Sequence, residues 1–142
     1  MTDSNLFHQD TILKVDENGE IIGLPNKFSP AKFDSSTKIL RIRNRIILFP
    51  KCITDYFEEH KNPKLRLSAS WYHSKDIMPY YLNFNISDKS VNYGYTILVD
   101  LETLELIYVQ KTITKGTTTY NQDIDLDEKC LNEYENGIRI TY

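Results

Sequence analysis

The chain has 142 residues, 40% of them hydrophobic and 26% charged, with a formal net charge of −3. That is enough for one globular domain with a sizeable core, and the acidic total argues against a general nucleic-acid or anionic-membrane binder. No run approaches the ~20 apolar residues that span a bilayer, and the N-terminus has neither the basic nor the apolar part of a signal peptide, so a cytoplasmic protein is expected.

Residues 1–10 read as a flexible N-terminus. A hairpin follows over residues 11–24, where Ile12, Leu13 and Val15 are separated from Ile21 and Ile22 by Asp16-Glu17-Asn18-Gly19. Asn-Gly between apolar runs favours a tight turn because both residues tolerate positive φ. Residues 28–36, with Pro30 and adjacent serines, read as a loop held down by Phe28 and Phe33. Residues 38–49 read as one strand with Arg41, Arg43 and Arg45 on one face and Leu40, Ile42 and Ile46 on the other. Pro50 opens a helix over residues 51–60 that turns Cys52, Ile53, Tyr56 and Phe57 inward, and Asn62-Pro63 closes it.

Period two then takes over. Leu65, Leu67, Ala69 and Trp71 alternate with polar residues, as do Tyr80, Leu82, Phe84 and Ile86, the pattern of half-buried antiparallel strands. Residues 73–79 between them form an exposed loop. A further hairpin joins residues 93–100 to residues 104–115 around Leu101-Glu102-Thr103. Its first strand carries Tyr95, Ile97 and Val99 on one face; its second carries Ile107, Val109 and Ile113 on one face and Leu106, Tyr108 and Gln110 on the other. Residues 117–120 suit a strand or a loop.

Near the C-terminus Asp125 is the expected N-cap of a helix, with Glu128 three residues later. Cys130, Leu131 and Tyr134 are its expected inward contacts and Gly137 its left-handed stop, after which residues 138–142 return as a strand. The sum is one α+β domain over residues 1–142. It is expected to hold a mainly antiparallel twisted sheet of six to eight strands, with room to curl, and two short helices.

Chemistry leaves few traces. His73 and Asp76 share one polar loop that could position a general acid or base, but residues of this kind between strands are mostly solvated turn chemistry. Asp123, Asp125, Asp127 and Glu128 lack the glycine and distant glutamate of a calcium loop, and helix capping explains them without a metal. No glycine pattern suits a phosphate, so no cofactor is expected. Cys52 and Cys130 have no further ligand beside them and read as two buried thiols; a long-range disulfide is the alternative for an oxidising compartment.

What remains is a division of charge. Between positions 38 and 66 eight basic residues meet three acidic ones, and between positions 100 and 135 nine acidic residues meet three basic ones. The arginines form a secondary basic face that could meet acidic partners, RNA or acidic groups of the same chain. Asp123, Asp125, Asp127, Glu133, Tyr134 and Glu135 form the expected partner-binding surface, the carboxylates steering a basic protein and the tyrosine anchoring it.

An acidic, one-domain, motif-poor chain is similar in general character to bacterial immunity proteins that neutralise a toxin nuclease, although no family motif carries that likeness. The sequence therefore points to a non-enzymatic protein-binding module with a basic, toxin-like partner and no membrane partner. The alternatives are a small-ligand carrier with an aromatic-lined cavity and a small enzyme using the His73–Asp76 loop. Oligomeric state is not fixed by the sequence.

Overall fold

The computed structural model describes residues 6–58, 63–72, 80–87 and 92–141. Its largest sheet grows from the period-two segments: β7 (Lys64–Tyr72), β8 (Tyr80–Ser87), β9 (Tyr93–Asp100), β10 (Leu106–Lys115) and β11 (Thr118–Asp123). They run as an antiparallel meander, and β1 (Leu6–Ile12) adds to the free side of β7. Residues 6–10, expected to be flexible, are therefore sheet backbone. Leu82, Phe84 and Ile86 of β8 and Tyr95, Ile97 and Val99 of β9 are buried, which is why these strands pleat as their alternation requires.

The Asn-Gly hairpin forms as β2 (Lys14–Val15) and β3 (Ile21–Ile22). The Asp16 carboxylate accepts from the Asn18 and Glu20 N–H groups at 2.8 and 2.9 Å. Gly19 turns through φ +84°, where a Cβ would meet the Phe33 carbonyl oxygen at 2.8 Å.

A second sheet departs from expectation. Part of the presumed loop is strand β4 (Ala31–Asp34), with Phe28 and Phe33 buried as anticipated. The presumed single strand over residues 38–49 folds back on itself as β5 (Ile39–Ile42) and β6 (Arg45–Leu48). Arg43, at φ +58°, and Asn44 make the turn, and Asn beside a residue in the left-handed region is turn chemistry that an unbroken aliphatic pattern conceals. The terminal strand β12 (Ile138–Ile140) pairs with β6, giving the order β12-β6-β5-β4. The α+β reading with mainly antiparallel pairing holds, and the six-stranded sheet is open.

Among the described residues, two α-helices accompany the sheets. The Pro50 carbonyl accepts from the Ile53 and Thr54 N–H groups, and α1 (Lys51–Glu58) buries Ile53 and Phe57; Asn62 lies outside the described residues. In α2 (Glu128–Asn136) the cap is Asp127, whose carboxylate accepts from the Cys130 N–H at 2.8 Å, and not Asp125. Gly137 ends the helix at φ −85°, so it is not a left-handed stop. Glycine is needed there because a Cβ would lie 2.3 Å from the Leu48 carbonyl oxygen. The helix end thus presses on β6, and the Leu48 N–H donates to the Gly137 carbonyl at 2.8 Å.

Both sheets and both helices contribute to one core. Phe33 of β4 meets Phe84 of β8 at 5.1 Å between ring centroids, and Phe57 of α1 meets Phe84 edge-on at 5.4 Å. Phe49 joins the same cluster and reaches Tyr134 of α2 at 5.9 Å. These rings pack on one another.

Cys52 and Cys130 are bonded, 6.0 Å apart at Cα, which overturns the expectation of two thiols. The helical positions Cys52 and Cys130 both turn toward the core and so toward each other, a convergence no sequence spacing reveals. Such bonds persist in oxidising compartments, which runs against the cytoplasmic expectation. What holds is that no described helix is long and apolar enough to cross a membrane.

The bond closes a 78-residue separation, for which the chain-entropy argument gives roughly 4.5 kcal/mol. Replacing both cysteines by alanine should lower unfolding free energy by about 2–5 kcal/mol. Urea midpoints of the double variant and the oxidised parent measure this, and coincident midpoints would refute it.

Candidate functional site

The acidic end of the chain is positioned by the turn between β9 and β10. The Asp100 carboxylate accepts from the Glu102 and Thr103 N–H groups at 2.7 and 3.1 Å, and the Asp100 carbonyl accepts from the Leu104 N–H. Leu104 adopts φ +63°, an uncommon conformation for a bulky residue, and its side chain is fully buried. Its carbonyl accepts the Tyr134 hydroxyl at 2.7 Å.

Tyr134 is therefore an internal strut. Expected as a partner-binding anchor, it is 2% exposed, and burial followed by the Glu105 charge pushes its hydroxyl well above the ordinary 10.0.

Just beyond the turn the ladder slips. Leu106 pairs with Val99 and Tyr108 with Leu98, so Ile107 is the extra residue of a bulge. The slip lets Leu106 and Val109 both pack inward and drives Ile107 out to 41% exposure, against the expected grouping of Ile107 with Val109. Leu131, expected inside, is 42% exposed because α2 turns Cys130 and Tyr134 to the core instead.

Ile107 and Leu131 line one open cleft of about 300 Å³, floored by Leu106, Val109, Ile124 and Leu126 and edged by Asp123 and Asp125. Asp127, Glu128, Glu133 and Glu135 stand exposed on the adjoining helix and its cap. Among the described residues, none of Asp125, Glu128, Glu133 and Glu135 is in an ion pair. Asp123 accepts from the Gln110 amide at 2.7 Å, and Asp127 is occupied by its cap bond. Glu128 and Glu135 lie on the side of α2 that carries Leu131, whereas Glu133, two positions beyond Leu131, lies on the opposite side of the helix and Tyr134 is buried, so the predicted residues do not form one patch. Sequence reading missed the apolar floor, for which a bulge leaves no signal.

The arginines are not a row. With the turn at Arg43-Asn44, Arg41 faces Ile46 and Arg45 faces Ile42 across the ladder, on opposite faces of the sheet. Arg41 donates to the Thr141 hydroxyl at 3.1 Å and Arg43 to the Lys27 carbonyl at 3.4 Å. Arg45 donates to the Glu102 and Leu101 carbonyls at 2.8 and 3.2 Å, clamping the same turn that holds Tyr134.

A larger cleft of about 460 Å³ lies between the β2–β3 turn and the β4–β5 turn and includes Asp16, Glu17 and Asp34. Its aspartates serve their own turns: the Thr37 and Ser36 N–H groups bonded to Asp34 hold its carboxyl below the usual value. Among the described residues, no group of His, Cys, Asp and Glu side chains could hold a metal ion. His60 and residues 73–79, with His73 and Asp76, lie outside the described residues, and His8 is placed only as backbone of β1. No protein-family model, no curated protein and no solved structure matches the chain.

Tyr134→Phe should cost about 1–2 kcal/mol at neutral pH, since it leaves the Leu104 carbonyl buried without its donor. Because the folded-state value of Tyr134 is raised, its contribution is complete below pH 10 and fades as the unfolded tyrosine ionises above it. Stability measured against pH should therefore fall less steeply above pH 10 in the variant than in the parent. Parallel alkaline limbs would contradict the assignment.

Proposed function

We propose that this chain is a non-enzymatic protein-binding module that takes a basic protein surface at the cleft between β10 and α2. The observation that carries the reading is the pairing of two exposed aliphatic side chains, Ile107 and Leu131, with carboxylates that have no ion partner within the described chain. An apolar anchor can enter the cleft and be desolvated, while Lys or Arg around it meets Asp125, Glu128 and Glu135. Binding energy concentrates in such anchors, and surrounding charge mainly speeds encounter and selects the partner.

Neutralisation of a toxin is the concrete form of this reading. A basic active-site surface covered by the acidic flank would lose access to its substrate by charge and bulk together. The Cys52–Cys130 bond supports an encounter in an oxidising compartment; a cytoplasmic site of action would require both cysteines as thiols.

The test is co-expression with each adjacent reading frame of the native locus, followed by affinity purification and a growth assay. A stoichiometric complex, with growth lost when this protein is omitted, is expected. Leu131→Glu should weaken that complex at least ~10-fold, about 1.4 kcal/mol, and Glu135→Lys should weaken it at low salt, both with unchanged circular dichroism. Absence of any partner and of any growth effect would sink the proposal; a complex indifferent to these substitutions would sink its placement.

A further inference from the structure

β11 is the outer strand of the six-stranded sheet, and all six of its side chains are exposed. Its hydrogen-bonding parity is fixed from its end. The Ile124 N–H donates to the Val109 carbonyl at 2.9 Å, so Ile124, Gln122, Tyr120 and Thr118 turn their backbone groups toward β10. Thr119, Asn121 and Asp123 consequently turn theirs outward, and none of these groups has a partner within the described chain.

Natural sheet edges are guarded by Pro, Lys, a bulge or a covering element. Thr118-Thr119-Tyr120-Asn121-Gln122-Asp123 has no Pro and no Lys, and its pairing to β10 runs without a register shift.

The side chains of the outward-bonding residues favour one occupant. The Thr112 hydroxyl donates to Asn121 Oδ1 at 3.0 Å, which leaves both amide donors of Asn121 free, and Gln110 uses only Oδ1 of Asp123. Laid antiparallel against itself with Asn121 at the centre, the strand sets Asn121 opposite Asn121 of the second copy and Thr119 opposite Asp123 of the second copy. Each such pair exchanges two backbone bonds. In addition, the carboxamides can bond each other, and the Thr119 hydroxyl can donate to the facing carboxylate.

A basic foreign strand would find only Asp123 as a charge along this edge.

We infer that β11 is a self-association edge, pairing antiparallel with β11 of a second copy about a two-fold axis at Asn121 to join two six-stranded sheets into one. The contact is isologous and closes on itself, so it yields a dimer and not a filament. It is smaller than a standard interface, and its dissociation constant is weaker than ~1 μM.

Sedimentation velocity over a concentration series reaching ~0.5 mM tests this. The parent should shift from monomer to dimer. Asn121→Lys, which sets two ammonium groups face to face on the axis, should raise the dissociation constant at least 10-fold with an unchanged circular dichroism spectrum. Thr119→Lys, facing Asp123 of the second copy, should dimerise at least as well as the parent. A parent that stays monomeric throughout, leaving the edge to a foreign strand, would overturn the inference. So would a dimer insensitive to Asn121→Lys, or one lost on Thr119→Lys.

Discussion

The turn between β9 and β10 is the constraint on which the rest of the molecule depends. Its Leu101 and Leu104 side chains are fully buried, and its carbonyls receive Arg45 from the second sheet and Tyr134 from α2. One short segment therefore joins three layers. The left-handed conformation of Leu104 is unfavourable for a bulky side chain and persists because surrounding contacts over-determine it. Holding the turn fixes where β10 begins, which sets the bulge at Ile107 and the seat of α2. The acidic flank and its apolar cleft are what this arrangement leaves facing solvent.

The disulfide and the close approach of Gly137 to Leu48 act on the same helix from either end. Cys130 ties α2 to α1, and Gly137 lets its last turn reach β6. Together with Tyr134 they hold α2 at three points along its length. A short helix needs this, because nine residues supply too little propensity to stay ordered alone.

Much of the fold was legible because alternation and turn chemistry are local. The Asn18-Gly19 hairpin, the β8 and β9 inward sets and the two helices all follow from residues within a few positions of one another. The strand-face misreadings share one physical cause: in a strand, inserting one residue or one turn reverses every face beyond it. Nothing in residues 38–49 breaks the aliphatic rhythm except Asn44, so the alternation puts Arg41 and Arg45 on one face although the turn parts them. The bulge did the same to Ile107.

The candidate site was legible in its charges and hidden in its floor. Acidic residues declare themselves by composition, whereas the exposure of Ile107 and Leu131 is settled by contacts with distant segments. Tyr134 failed as an anchor for the complementary reason, since a tyrosine among glutamates reads as surface until its hydroxyl is seen to meet the Leu104 carbonyl.

The most direct measurement is amide hydrogen exchange on this protein alone and in complex with the partner recovered from its locus. The account predicts slowed exchange on binding confined to residues 106–109 and 123–136, where the cleft and the helix that borders it lie. Protection confined to residues 39–48, with the cleft exchanging as in the free protein, would contradict it.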